Sequence, residues 1–342
     1  MSHILITGGL GFIGSHVAVT LLNRGCSLII IDNLHNSKKN VLEKIIRITN
    51  NKNIVFYERD LCDDIDDLFT NHTIDGVIHM AGLKAVKESI DNPLLYYRTN
   101  ILSTINLVET MIKYKCYTLI FSSSATVYGS TKAPLKETSG TGKGITNPYG
   151  KTKYMIEEIL RDVCVANKKF KIISLRYFNP IGAHPSGLIG EDPNGIPNNL
   201  MPYILKVAYK HNITSSLEGY DHLSIYGGNY NSKDGTAIRD YIHVMDVAKA
   251  HYLALNKIED LDELTNYNFF NIGNGTGYTV LDVINTFKKV NNVAVPYIFE
   301  ERRPGDLEAV YCDTVKSKAL LGFKPDYSLE DMCKHSWKVM IS

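Results

Sequence analysis

The sequence predicts an α/β fold, a doubly wound parallel sheet with a smaller α/β C-terminal lobe. Short β-rich runs alternate with longer helical patterns, and a glycine-rich turn joins the first run to the first helix. The runs extend from Ile4 to Thr7, Leu28 to Asp32, Ile54 to Tyr57, Val77 to His79, Leu119 to Ser122 and Ile172 to Leu175. Each is apolar on both faces, as a strand covered by helices on both sides must be.

Taken in order, Ile4-Leu5-Ile6 leads into Thr7-Gly8-Gly9-Leu10-Gly11-Phe12-Ile13-Gly14, followed by an amphipathic stretch ending near Arg24. That is the strand, turn and helix context of a dinucleotide site. Gly8 permits the tight turn, Gly11 lets the backbone approach a pyrophosphate, and Gly14 lets helix and strand pack closely. Asp32 ends the second strand eighteen residues past Gly14, where a carboxylate accepts from ribose hydroxyls and repels a 2′-phosphate. NAD is therefore favoured over NADP, a preference tempered by Lys38 and Lys39 nearby.

Pro148 can open a helix that holds Tyr149 in its first turn and Lys153 four residues on, along the same face. A tyrosine that removes a proton near neutral pH needs a cation beside it, because its ordinary pKa is near 10. Lys153 can supply that charge, and a nicotinamide's positive charge would add to it. Ser124, just past the run from Leu119 to Phe121, can hydrogen-bond the same substrate oxygen.

After about Phe178 the chain turns to loops rich in Pro, Gly and Asn, then to helical patterns at Leu200 to His211, Val244 to Lys257 and Val280 to Val290. This places a dinucleotide-binding lobe at 1–180 and a substrate-binding lobe at 181–342, with some later segments packing back on the first. The 342 residues exceed what one core comfortably serves. Composition is 44% hydrophobic and 21% charged with net charge +1, which argues against nucleic acid and anionic membranes as partners. Met1 to His3 run straight into the first strand and no apolar stretch is of spanning length, so a cytoplasmic protein is expected. The six cysteines form no C-x-x-C pair and the eleven histidines show no ligand spacing, so thiols are expected reduced and no metal is expected.

With these blocks in place, the chain resembles the extended short-chain dehydrogenase/reductase family, and within it the branch that epimerises UDP-hexoses at C4. The resemblance spans nearly the whole chain. It is carried by Gly8 to Ser15, Asp32-Asn33-Leu34, Ala81 to Val86, Ser122 to Gly129, Pro148 to Lys151, Arg176 to Asn179, Gly195 to Pro202 and Arg239 to Val244. It implies NAD contacts from Gly8, Gly11, Phe12, Ile13, Gly14, Asp32 and Asn33. Asp60 and Leu61 would hold the adenine. Ala81, Gly82, Lys84, Asn100 and Ser122, with Tyr149 and Lys153, would complete the cofactor site, and Phe178 would lie beside the nicotinamide. It further implies a UDP-sugar site from Asn179, Asn199 and Leu200, with Lys84, Ser124 and Tyr149 shared. Tyr226 would lie near the uracil, Arg239 and Arg303 on the diphosphate, and Asp306 on the uridine ribose. Guanidinium forks suit a buried diphosphate.

The implied reaction is reversible. Tyr149, assisted by Ser124, takes the sugar 4-hydroxyl proton while the C4 hydride passes to tightly held NAD; the 4-keto sugar turns its other face and the hydride returns. Related dehydratases carry an acidic pair after the serine position, where this chain has Ala125 and Thr126. Decarboxylases and glucuronate epimerases need a pocket for a C6 carboxylate, which no motif here marks. A catalytically silent dinucleotide sensor would be expected to lack Tyr149 or Lys153. The resemblance implies that Val310 occupies the position gating pocket size; it is smaller than a tyrosine and larger than glycine, so turnover of both the UDP-galactose/UDP-glucose pair and the N-acetylhexosamine pair is expected. The stretch from His211 to Leu223 is longer than in familiar members and reads as a surface elaboration. Leu94 to Lys115 and Met155 to Cys164 carry apolar residues on more than one face, and in the resembling family these helices form a dimer interface, so a homodimer is expected.

Overall fold

Strand and helix alternate through the first half, with two successive helices between β4 and β5: β1 (His3–Thr7), α1 (Phe12–Asn23), β2 (Ser27–Asp32), α2 (Asn40–Thr49), β3 (Ile54–Glu58), α3 (Asp66–Asn71), β4 (Gly76–His79), α4 (Val86–Asp91), α5 (Pro93–Lys113), β5 (Thr118–Ser124), α6 (Pro148–Ala166) and β6 (Lys171–Tyr177). The second half is more broken: β7 (Asn179–Ile181), α7 (Leu200–Asn212), β8 (Leu223–Tyr226), β9 (Ile238–Arg239), β10 (Tyr241–His243), α8 (Val244–Lys257), β11 (Tyr267–Ile272), β12 (Tyr278–Thr279), α9 (Val280–Asn291), β13 (Tyr297–Glu300), β14 (Ala309–Val310), α10 (Val315–Leu321) and α11 (Leu329–Ile341). This is a computed structural model, and it describes residues 2–194, 199–214, 216, 219–260, 266–303 and 305–342.

Seven strands form one sheet in the order β11-β6-β5-β4-β1-β2-β3. All neighbours are parallel. The doubly wound fold is thus as expected. The direction of winding reverses between β1 and β4, which opens a crevice at the strands' carboxyl ends. The seventh strand, β11, comes from beyond position 181 and completes the edge beside β6. Helix α8 also returns, and its Val247, Ala248 and Ala250 pack with α1 on the first layer.

Alternation along the strands feeds two cores. Ile4, Ile6, Leu28 and Ile30 point to the α1 and α8 side, while Leu5, Ile29, Ile31 and Phe121 point to the α5 and α6 side. A third core, with Ile204, Ile225, Phe287 and Trp337, fills the second lobe. A fourth, smaller cluster of Ala125, Tyr128, Leu135, Phe178 and Cys312 lies just past Ser124.

Several charged and polar groups are buried in this frame. Arg176 on β6 and Glu157 on α6 form a two-pronged pair, Nε to Oε1 at 2.9 Å and a second nitrogen to Oε2 at 2.5 Å. Four histidines are fully buried and neutral. Burial pulls His16, His79 and His243 down to about 3 and His251 to about 4. His79 is held between Thr7 Oγ1 at 2.8 Å and Thr104 Oγ1 at 2.9 Å.

These histidines predict acid lability. Their folded values lie below the ordinary 6.5, so the unfolded chain takes protons first, and stability complete above about pH 6.5 is lost as pH falls towards 4. Asp240 and Asp246, raised to about 6 by burial, act in the opposite direction, gaining relative stability as pH falls from 6 to 4. His184 and His335, also lowered by burial, act with these four histidines, so the net effect is a loss of stability as pH falls through that window. Thermal unfolding in a pH series should show a midpoint level from 7 to 8 and falling steeply below 6; a midpoint that stays level to pH 5 contradicts the assignment.

Candidate active site

The glycine-rich turn is a cradle with two closed sides and one open one. Gly8 has φ +67°, and a Cβ there would stand 2.9 Å from the Ala81 nitrogen. A Cβ on Gly14 would stand 2.2 Å from the Gly8 carbonyl oxygen. Both positions require glycine for packing. Gly11 differs: a Cβ there meets nothing nearer than that same carbonyl at 3.4 Å. It precedes α1, which starts at Phe12 and Ile13 with no side-chain cap. Open space at Gly11 and uncapped N–H groups fit an approaching pyrophosphate.

Asp32 is buried beside this cradle. Its carboxylate accepts from the Leu10 N–H at 3.0 Å, the Leu34 N–H at 2.9 Å and Ser37 Oγ at 2.8 Å. Asn33 donates to Asp60 at 2.7 Å, and Asp60 accepts from the Cys62 N–H at 2.8 Å, with buried Leu61 between. The two lysines that tempered the cofactor preference are each paired with a carboxylate, Lys38 with Asp192 and Lys39 with Glu58. Asn100 is almost wholly buried. Its amide accepts from the Leu83 N–H at 2.8 Å and donates to the Leu83 carbonyl and Thr152 Oγ1, both at 3.1 Å. Gly82, at φ +150°, lies against it. The structure therefore shows Asn100 shaping the loop that carries Ala81, Gly82 and Lys84.

Helix α6 brings the proton-transfer candidates to the end of β5. Asn147 caps it by accepting from the Gly150 N–H at 2.8 Å, and Pro148 opens it. Lys153 is buried; its Nζ donates to the Ser122 carbonyl at 2.7 Å and lies 4.8 Å above the Phe121 ring. Burial brings Lys153 down to about 8, with the Glu157 charge opposing. Burial raises Tyr149 above its ordinary value, and a hydrogen bond with Ser124 opposes that. The sequence predicted a phenol lowered by Lys153. At the phenol, desolvation outweighs the Ser124 hydrogen bond, while the Lys153 ammonium keeps its charge as it donates to the Ser122 carbonyl. Ser124 Oγ also accepts from the Thr126 N–H at 3.2 Å.

The remaining candidates lie on segments that follow β6. The Asn179 N–H donates to the Asp240 carbonyl at 2.9 Å. Arg303 Nε donates to Asp306 at 3.0 Å, Arg239 lies 3.6 Å from the other oxygen of the same carboxylate, and the Arg303 guanidinium lies 4.8 Å over Tyr226. Four predicted residues from three separate segments thus form one cluster. Val310 pairs in register with Arg239 and packs against the small cluster that includes Phe178. Asn199 and Leu200 stand at the start of α7, while Gly195 to Asn198 of the same motif lie outside the described residues. In the stretch from His211 to Leu223, residues 215, 217 and 218 are likewise outside. Asp221 there accepts from Lys210 at 2.6 Å.

Two residues escaped sequence reasoning. Glu191 Oε1 accepts from Lys84 Nζ at 3.0 Å and Asn199 Nδ2 at 2.7 Å, joining two predicted residues from different lobes. Nothing in its local pattern marks it. Asp240 accepts from the N–H groups of Asn274 at 2.6 Å, Gly275 at 3.0 Å and Cys312 at 3.2 Å, and burial raises it to about 6. An acid directly before the apolar pair Tyr241-Ile242 was the available signal.

Residues 5–336 match the family model described as GDP-mannose 4,6 dehydratase. A UDP-glucose 4-epimerase from Bacillus subtilis (strain 168) is 48% identical over 338 residues, covering 98% of this chain and 96% of that protein. A UDP-glucose 4-epimerase from Bifidobacterium longum, solved in complex with NAD+ and UDP, superposes with TM-score 0.91 at 43% identity, covering 99% of this chain and 98% of that one. A UDP-glucose-4-epimerase from Stenotrophomonas maltophila, solved with NAD and formylated UDP-arabinopyranose, gives TM-score 0.93 at 41% identity, covering 100% and 98%. With its dinucleotide cradle, its Tyr149 and Lys153 on α6 and likeness along its whole length, the chain belongs to the UDP-glucose 4-epimerase family within the extended short-chain dehydrogenases/reductases.

Proposed function

We propose that this chain interconverts UDP-galactose and UDP-glucose by inverting C4 through a 4-keto sugar, with NAD held by the first lobe. The observation that carries the reading is the convergence of Ser124, Tyr149 and Lys153 at the end of β5, two strands along the sheet from β1, which leads into the Gly11 cradle. NAD, when bound, supplies the hydride acceptor and donor.

Tyr149 takes the 4-hydroxyl proton and returns it, and Ser124 holds the same oxygen. Lys153, at about 8, is mostly protonated at pH 7 and stands one helical turn from Tyr149, where its charge favours the phenolate. Asp32, Asn33, Asp60 and Leu61 take the adenosine end, with Lys84 and Phe178 towards the nicotinamide. Arg239 and Arg303 grip the diphosphate, Asp306 the uridine ribose and Tyr226 the uracil face, while Asn179, Asn199 and Leu200 line the sugar-nucleotide cleft. Strong anchoring of UDP and few polar groups around Phe178 and Val310 suit a sugar that must turn over. The name of the matching family model does not extend to elimination chemistry, since Ala125 and Thr126 follow Ser124.

Lobes at 1–180 and 181–342, with β11 and α8 returned to the first, belong to this reading. Cytoplasmic residence belongs to it as well, supported by six cysteines outside any disulfide. No helix among the described residues is long and apolar enough to cross a membrane. A homodimer through α5 and α6 is supported by Leu95, Leu102, Ile105, Ile112 and Met155, all exposed.

Purified protein given UDP-galactose without added NAD should form UDP-glucose, and C4 label should stay with the sugar. Tyr149→Phe should lower kcat by about a thousandfold while retaining NAD; a variant within twofold of the parent would defeat the mechanism. Val310 packs against the cluster that includes Phe178, so Val310→Tyr should abolish turnover of UDP-N-acetylgalactosamine and spare UDP-galactose. Equal losses on both substrates, or none, would remove Val310 as the gate. Leu102→Glu with Ile105→Glu should halve the mass in solution by light scattering, and an unchanged dimer would place the interface elsewhere.

A further inference from the structure

The segment 191–194 belongs to the second lobe's side of the cleft, yet its polar contacts reach the first lobe at three places. Glu191 accepts from Lys84 at 3.0 Å, in the loop after β4. Asp192 pairs with Lys38, in the loop after β2. The Asn194 N–H donates to Asn36 Oδ1 and its Nδ2 to the His35 carbonyl, both at 3.1 Å, in that same loop. In the sheet, β1 lies between β4 and β2. A segment tied to the loops after β4 and β2 must therefore pass across the turn after β1, which is the glycine cradle. The lengths agree: two strand spacings are about 10 Å, and three extended residues span about 10 Å. Lys84 Nζ also lies 6.0 Å over the ring of Phe12, the first residue of α1.

The charges suit this position. Two bare carboxylates above a pyrophosphate would repel it, but each is matched by a first-lobe lysine. Glu191 is further committed by Asn199 on the same oxygen, and its Oε2 is buried without a partner.

We infer that residues 191–194 form a strap across the mouth of the dinucleotide cradle and set how long the cofactor is held. The inference rests on NAD occupying that cradle. Glu191, Asp192 and Asn194 are then positioning residues that act on retention through the strap, separate from proton transfer.

The test is the rate at which NAD leaves the purified holoenzyme after dilution, followed by rapid filtration. Lys38→Glu and Asp192→Lys should each speed release at least about threefold, as loss and reversal of one exposed pair would. The double variant carrying both should return towards the parent rate, which a role in folding alone would not produce. Added salt should speed release from the parent more than from Asp192→Ala. Parent-like release from both single variants, or a reciprocal pair as fast as the singles, overturns the strap. Release is scored apart from turnover, so a protein that holds NAD but fails to epimerise defeats the functional reading and leaves the strap to be judged by its release rates.

Discussion

The docking of α6 onto the end of the sheet is the constraint on which the site depends, and the buried Glu157–Arg176 pair enforces it. Both side chains are essentially inaccessible, so their charges are tolerable only as a matched pair with every remaining valence used. Glu157 also accepts from Ser123 Oγ, and Arg176 donates to the Tyr128 hydroxyl at 3.0 Å, which in turn donates to Asn271 at 2.7 Å. One helix, two central strands and the edge strand β11 are thereby keyed to one register. Lys153 is one turn before Glu157 on α6, so the geometry that puts Glu157 on Ser123 also puts Lys153 on Ser122. A shift of α6 by one residue would break both contacts together.

A second strut holds the substrate wall. Asp240 collects N–H donors from the loop after β11 and from the segment after β14, so the strand bearing Val310 is tied to the edge of the first sheet. Phe178, Cys312 and Leu135 share one buried cluster at this junction, and Val310 packs against it. The electrostatic character of the region follows from exclusion of water. Burial raises Tyr149, lowers Lys153 and keeps His79 neutral in the same small volume, so proton transfer there depends on added charge and precise contact.

Much of this was readable before any coordinates. The cradle, Asp32, the serines of β5 and the Tyr149 and Lys153 pair carry their chemistry in local spacing, because a turn, a strand end and one helical turn are local geometries. Spacing places Lys153 on the face of Tyr149 but does not say which carbonyl its ammonium will meet, here that of Ser122. Glu191 was invisible for a similar reason: an acid in a Pro- and Asn-rich loop looks solvated until the loop is laid across another lobe. Lys38 and Lys39 looked free and are paired.

What the sequence by itself determined is the kind of protein: a parallel sheet, a dinucleotide turn, a preference for NAD and a tyrosine able to work with a serine. Those follow from periodicity and from residue types whose physical roles are short-ranged. Only the tertiary structure decided which carboxylates meet which cations, that β11 closes the sheet, that Arg239, Arg303, Asp306 and Tyr226 form one cluster, and that residues 191–194 cross the cradle. These are contacts between residues far apart along the chain, and their partners are chosen by how the two lobes pack, which no local pattern encodes.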